Sequence, residues 1–554
     1  MTAKTSTAHE RFRAARDLLL ACHDDYPRAY RDFRWPRSEH FNWAHDWFDV
    51  VAEGNDRMAL RVIGPDRECR ATYAQLARRS DQVAAWLGAE GIRAGDRVLV
   101  LVDNAVEYWE LQLALMKLRV LIAPVFTSLP ADEIAERLTR VGANHVVARS
   151  EVAAALPGLA AATKVRVAIG PPVPGWLPYD DSYGCVERLH SDEPTPADEP
   201  LFCLFTSGTT ARPKMVLHSH SSYAVGHLSS MYLHRLRLGD VHLNVSAPAW
   251  AKHAWSSFFA PFNAEATVVS MEPGAVTPQR IRTALAEVGA DSFCAPPSTW
   301  RAVLDTEAGI DDERVRLREA LSVGEPLTAD LVERARRRWG VVIRNGYGQS
   351  ELTAVAGVVD ACAPDPTVLG HPLPGYRLTL DPPGGEGEIC VDLAERPAGA
   401  MLGYLGDTGE VQFPGAGGRR YRTGDLARRG ADGSFVFLGR LTDAIESVQG
   451  PVLPVELERA LIDAPAVREV AVVPVGHDGG RVAKAYVRLS EGWNTAEATA
   501  LTIFGHLAET GARGLHLIEF IDVFPRTESG KIHRELLRTY PRSAHLEFVA
   551  PWAG

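Results

Sequence analysis

The stretch "TSGTTARPK", Thr206 to Lys214, sets three kinds of phosphate-holding group side by side: hydroxyls, a glycine and a lysine. A Walker loop requires a glycine directly before its lysine and Ser or Thr directly after it. Here Pro213 precedes Lys214 and Met215 comes after it, so the stretch is a phosphate loop of another kind. The alternation of strands and helices around it decides which fold carries it.

"RVLVLV" (97–102) reads as a buried strand, "AVEYWELQLALMKL" (105–118) as an amphipathic helix and "VLIAPV" (120–125) as a second strand. Pro130 opens a helix that stops at Gly142 before the strand "HVVA". Strand "TVVSM" precedes a helix at 277–288, capped by Thr277 with Pro278 at its first position. Strands "DSFCA" and "ALSV", helix "TADLVERARRRWG" and strand "VVIRN" complete the run. This alternation predicts an α/β fold with doubly wound layers around largely parallel sheets. From about 370 glycine-rich turns separate short strands, predicting a β subdomain up to 440. A small α+β C-terminal domain over 441–554 comes after a boundary at 440–442.

Composition narrows the function. A chain of 554 residues, 46% hydrophobic and 23% charged, is globular, with roughly two to four domains expected. Net charge is −11 with both signs mixed, and the absence of a basic stripe argues against nucleic-acid binding. Seven scattered cysteines with no Cys-x-x-Cys pair argue for a reducing compartment and against a zinc site. The N-terminal 26 residues are too charged for a signal peptide, and no window has the roughly 18 apolar residues of a membrane helix. The expectation is a cytoplasmic protein without a membrane partner.

Five short stretches then fall in order: "TSGTTARPK" (206–214), "VGEPL" (323–327), "NGYGQSE" (345–351), "YRTGD" (421–425) with "GR" (439–440), and "PRTESGK" (525–531). Each alone reads as an ordinary polar loop; five in order and at domain-scale spacing do not. Together they resemble the adenylate-forming superfamily of acyl-CoA synthetases, nonribosomal adenylation domains and luciferases, most closely its medium-chain and aromatic acyl-CoA synthetases. The resemblance runs from about residue 35 to 540. It implies a large N-terminal domain, a hinge and a small mobile C-terminal domain. It also implies two steps: a carboxylic acid and ATP give acyl-AMP and pyrophosphate, and a thiol, of CoA or of a carrier protein's phosphopantetheine, then takes the acyl group.

The residue chemistry fits. Hydroxyls of Thr206, Ser207, Thr209 and Thr210, with N–H groups around Gly208, suit the β- and γ-phosphates, and Lys214 adds charge. Glu351 is a hard oxygen ligand for Mg²⁺, with Thr209 beside it. The resemblance implies that Gly324, Glu325 and Pro326 line the adenine and that Tyr347, within the run Asn345, Gly346, Tyr347, Gly348, Gln349, Ser350, stacks on it. It implies further that Asp425 accepts the ribose hydroxyls and that Arg440 adds charge nearby. Lys531, on a glycine-hinged loop, would stabilise charge on the reacting phosphorus. The acyl pocket is expected near "APAWAKHAW" (247–255), under Gly324 and Gly348. The resemblance implies that Trp250 lines it and that His253 lies alongside, while Lys252 either joins them or points to solvent. His218 and His220 read as structural.

Departures from the pattern bear on both steps. Ala211 stands where relatives have glycine, adding roughly 1 kcal/mol of strain if that position needs positive φ. Thr442 occupies the hinge, and Glu446 reverses a common positive charge. The 445–450 segment is one residue longer than usual, and Pro451 removes an N–H beside Gly450, the expected border of the pantetheine tunnel. The leading expectation is an AMP-forming acid–thiol ligase using ATP, Mg²⁺ and CoA, with a homo-oligomer allowed. A specialist in one half-reaction is the alternative, and a non-catalytic acyl-adenylate binder or a luciferase-type oxygenase fits less well.

Overall fold

The strand-and-helix alternation folds into two nine-stranded sheets. The computed structural model describes residues 7–552 apart from 157, 159–162, 187–192, 207–211, 308, 361–364, 366, 415–417, 448–449, 478–479, 527–531 and 542–545. The chain forms two compact units, one of Met1–Arg377 with Asp392–Tyr421 and one of Leu378–Val391 with Arg422–Gly554.

In the first unit one sheet is built on parallel strands Leu121–Pro124, Arg97–Leu101, His145–Arg149 and Val165–Ile169. Pro200–Thr206 joins it in parallel, and Lys214–Ser219 then turns back antiparallel, with Gly403–Leu405 next in the sheet. The second sheet runs parallel from Met58–Ile63 through Thr267–Met271, Val241–Asn244, Ser292–Cys294 and Glu319–Val323 to Ile343–Gly348. Strands buried on both faces explain the continuous apolar runs. Among the described residues no helix is long and apolar enough to cross a membrane.

Local signals set the helix ends. Thr277 accepts the Arg280 N–H and caps Pro278–Val288, which ends at Gly289 with φ +65°. Gly142, at φ +64°, ends Ala131–Val141, a conformation glycine adopts without Cβ penalty. Pro130 is that helix's cap and not its first turn, one residue short of the sequence expectation.

The division near 440 expected from composition differs from the division the contacts make. Strands Leu378–Asp381, Glu386–Asp392, Arg420–Arg429 and Phe435–Arg440 form one four-stranded sheet, assigned almost wholly to the second unit. Gly439 lies close to Leu453, at the start of helix Pro454–Ile462, so the sheet packs on the segment C-terminal to it. Of the other strands of the 370–440 stretch, Gly403–Leu405 and Val411–Gln412 extend one nine-stranded sheet of the first unit and His371–Pro372 the other. The rest of the second unit is α+β, with Val467–His477, Gly480–Leu489, Leu515–Phe520 and Glu547–Val549 in one sheet under helix Glu497–Glu509.

Burial keeps several imidazoles neutral. His218 and His234 are pushed down to about 4, and His220 and His253 to about 3, chiefly by desolvation. In the unfolded chain they protonate near 6.5. Their folded values are depressed, so the stability they allow is complete above pH 6.5 and is withdrawn as pH falls toward 4. The melting temperature is expected to drop between pH 6.5 and 4.5 with net proton uptake on unfolding; a flat melting temperature with no uptake would refute this.

Candidate active site

The 206–214 stretch begins and ends on a hairpin. Thr206 and Lys214 face each other as the last ladder pair between Pro200–Thr206 and Lys214–Ser219. Ser207, Gly208, Thr209, Thr210 and Ala211 lie outside the described residues, so only the loop's two ends are placed. Gly403–Leu405 pairs on the far side of Lys214–Ser219, with Tyr404 opposite Val216. That register lays the Tyr404 ring 4.8 Å from Lys214 Nζ. Tyr404 Oη then donates to Glu351 Oε1 at 2.8 Å. Burial and the Glu351 charge push the Tyr404 hydroxyl well above its ordinary value, so it stays protonated and donates.

Nothing in the sequence marked Tyr404. It joins the two groups the sequence did single out, one cationic and one anionic. Its hydrogen bond occupies one Glu351 oxygen and leaves the other without a hydrogen-bond partner among the described residues. A carboxylate oriented through one oxygen and open at the other suits a hard divalent cation. Among the described residues no group of three or more His, Cys, Asp or Glu is arranged to hold a metal.

Asn345, Gly346, Tyr347 and Gly348 are strand residues, because Ile343–Gly348 runs three positions beyond the expected end of "VVIRN". Asn345 donates to the Thr367 carbonyl at 3.0 Å. Tyr421 Oη donates to Gln349 Oε1 at 3.2 Å. The Ser350 carbonyl accepts from buried His218 Nε2 at 2.7 Å, and Ser222 Oγ lies 3.0 Å from His218 Nδ1. A neutral imidazole donating at Nε2 and accepting at Nδ1 satisfies both contacts. His218 is therefore structural, as expected, and it pins the turn that presents Glu351.

Gly348 is required by packing. A Cβ there would meet the Thr353 carbonyl at 2.3 Å and Trp255 Cη2 at 2.4 Å. Gly348→Ala is expected to lower stability by about 1–3 kcal/mol through overpacking. Chemical denaturation would measure this, and unchanged stability would show that Trp255 yields freely.

On the adjacent strand end Gly324 has φ +92°. The Glu325 carboxylate accepts the Ser298 N–H at 3.1 Å and the Ser298 hydroxyl at 3.2 Å, in the first turn of helix Pro297–Asp305. Its side chain thus holds a helix N-terminus, leaving the backbone of Gly324, Glu325 and Pro326 as the part available to a ligand.

The 247–255 segment comes to Gly348 through Trp255, which sequence reading did not select. Trp250 is part-exposed, and Lys252 Nζ lies 5.5 Å from its ring. Lys252 does not point to solvent; it is 3% exposed. His253, placed beside the pocket by resemblance, is instead core. It is fully buried, 2.9 Å from Asn104 Oδ1 through Nε2 and edge-on to Tyr108.

In the second unit Asp425 is buried on Arg420–Arg429, directly opposite Arg440 in the antiparallel ladder. Arg440 Nε lies 3.5 Å from Asp425 Oδ1. Thr442 sits in the short 3₁₀ turn Leu441–Asp443, and Asp443 accepts from Arg538 at 3.2 Å. Gly450 begins a strand, Gly450–Val452, that pairs with Ile445–Ser447, so Pro451 lies in a two-stranded ribbon that tolerates its missing N–H. Lys531 lies outside the described residues.

Residues 47–405 match the AMP-binding enzyme family, and residues 456–531 match the AMP-binding enzyme C-terminal domain. The chain belongs to the AMP-binding enzyme family. Among the relatives of this AMP-binding enzyme is 4-hydroxybutyrate–CoA ligase 1 of Metallosphaera sedula, 33% identical over 516 residues, 90% of each chain. Another is the mitochondrial acyl-coenzyme A synthetase ACSM3 of Mus musculus, 30% identical over 550 residues, 93% of each chain. The crystal structure of the anthranilate CoA ligase AuaEII in complex with anthranoyl-AMP superposes with a TM-score of 0.81 at 24% identity, covering 91% of this chain and 98% of that one. That likeness shows the fold, and the α/β architecture read from the sequence is the one observed.

Proposed function

We propose that this AMP-binding enzyme is an AMP-forming acid–CoA ligase. A carboxylate oxygen attacks the α-phosphorus of ATP; the bond from that phosphorus to the bridging oxygen breaks, and pyrophosphate leaves with its electron pair. The CoA thiol, losing its proton, then attacks the acyl carbonyl, and AMP leaves with its carboxylate-bound oxygen. The observation that carries this reading is the Lys214–Tyr404–Glu351 arrangement at the base of the phosphate loop. The names of the relatives, CoA ligases and acyl-CoA synthetases, support CoA as the thiol.

Within this reading Lys214 and the loop hydroxyls Thr206, Ser207, Thr209 and Thr210 bind the departing phosphates, and Glu351 holds Mg²⁺. The cation would neutralise charge on pyrophosphate as it leaves. Asp425 accepts from the ribose, Arg440 tempers its charge, and Lys531 stabilises the pentavalent phosphorus. Scattered cysteines support a reducing, cytoplasmic setting. Mass spectrometry of the protein with ATP, Mg²⁺, CoA and a panel of acids tests the proposal by reporting acyl-AMP and acyl-CoA separately. Both are expected, and formation of neither would refute it.

The departures at Ala211 and 442–451 favour one second reading, unbalanced half-reactions, and acyl-AMP without acyl-CoA would select it. Gly450→Leu is expected to reduce thioester formation from supplied acyl-AMP by at least about tenfold while sparing pyrophosphate release, because a side chain would fill the path of the thiol. Equal loss of both steps would remove Gly450 from that role.

A further inference from the structure

Lys252 is a buried cation that the chemistry above leaves without work. Its ammonium donates to the Val245 carbonyl at 3.0 Å and forms no ion pair among the described residues. Burial lowers its affinity for a proton, and the Glu325 charge opposes this only through space, with no hydrogen bond between them. Glu325 is already committed to Ser298. An ammonium has three donors, and one removed from water with a single carbonyl acceptor is unfavourable unless something else meets it.

Its placement says what that something is. Ser292–Cys294, Glu319–Val323 and Ile343–Gly348 are neighbouring parallel strands, so Cys294, Glu325 and Gly348 lie at one edge, the carboxyl edge where open α/β sheets bind ligands. Lys252 and Trp255 are three residues apart in a continuous helical segment that passes from α- to π-helix between them, a feature frequent at functional sites. Lys252 faces the Trp250 ring, and Trp255 lies against Gly348. In the ligase reading Lys252 would supply a charged wall of the acyl pocket and Trp255 an indole floor.

We infer that the acid activated here is short and carries a second, hydrogen-bond-accepting oxygen on its tail, which Lys252 recognises. The inference rests on the ligase reading and adds the class of acid to it. A site that holds a buried donor for a substrate oxygen rejects the analogue lacking that oxygen, because the donor is then left unpaired.

The test compares kcat/KM for pyrophosphate release with butyrate, 4-hydroxybutyrate, 4-oxobutyrate, succinate and octanoate, in the wild type and in Lys252→Met and Lys252→Arg. The wild type is expected to favour at least one oxygenated acid over butyrate by at least about tenfold, mainly through KM, and to turn over octanoate poorly. The three oxygenated acids distinguish hydroxyl, carbonyl and carboxylate as the recognised group. Lys252→Met should bring the ratio close to one, and Lys252→Arg should restore part of it. Equal or better use of butyrate or octanoate by the wild type overturns the inference and leaves the ligase reading standing, as does an unchanged ratio in Lys252→Met. If Lys252→Met fails to fold, the wild-type ratio decides. Turnover of no acid overturns both.

Discussion

Lys531→Ala is expected to lower acyl-AMP formation by at least about a hundredfold, close to 3 kcal/mol of barrier, while leaving the melting temperature unchanged. The charge on phosphorus grows only as the carboxylate attacks, so a lysine that meets it there acts on the rate and little on ATP binding. The loss should therefore appear in kcat with a modest change in the KM for ATP. Transfer from chemically supplied acyl-AMP to CoA should persist, since no phosphorus is attacked in that step. Pyrophosphate release at the wild-type rate would remove Lys531 from the mechanism.

The second large effect is expected at Glu351. Glu351→Gln keeps an oxygen that can accept from Tyr404 but loses the charge that suits a divalent cation. Adenylation at limiting Mg²⁺ should fall by about a hundredfold and recover partly as Mg²⁺ is raised. Tyr404→Phe tests the same site more gently. It keeps the ring beside Lys214 and deletes only the hydroxyl that fixes Glu351 Oε1, so about a tenfold weakening of Mg²⁺ binding is expected. Titration calorimetry of Mg²⁺ with a non-hydrolysable ATP analogue gives a readout independent of turnover. Unaltered Mg²⁺ affinity in both variants would show that the carboxylate does not hold the cation.

What the sequence disclosed was whatever depends on near neighbours. Thr277 caps the helix after it, and Gly142 and Gly289 end theirs, because such signals act within one helical turn. Tyr404 was invisible because it meets Glu351 and Lys214 only when Gly403–Leu405 pairs beside Lys214–Ser219, a register no local pattern encodes. His253 was misplaced, and Lys252 was left open between pocket and solvent, for the same reason. The groups that fix them, Asn104 and the buried strand edge around Val245, become neighbours only in the folded chain. The boundary at 440 was a reading of composition, whereas contacts group the four-stranded sheet that ends there, held by ladders such as Asp425 opposite Arg440, with the segment that follows it. Family motifs singled out the candidate loops; the side chains packed against them had to be seen.

The hairpin beneath the phosphate loop also limits how this protein can vary. Lys214–Ser219 is paired on both sides, to Pro200–Thr206 and to Gly403–Leu405, and all but Lys214 are buried. A one-residue slip would turn every buried side chain of that strand to the opposite face. The register therefore cannot absorb a change of length between Thr206 and Lys214, and an inserted or deleted residue would appear wholly as an altered loop. Divergence at this spot is channelled into exchange of one residue for another. Ala211, where the resemblance leads one to expect glycine, is a difference of that permitted kind.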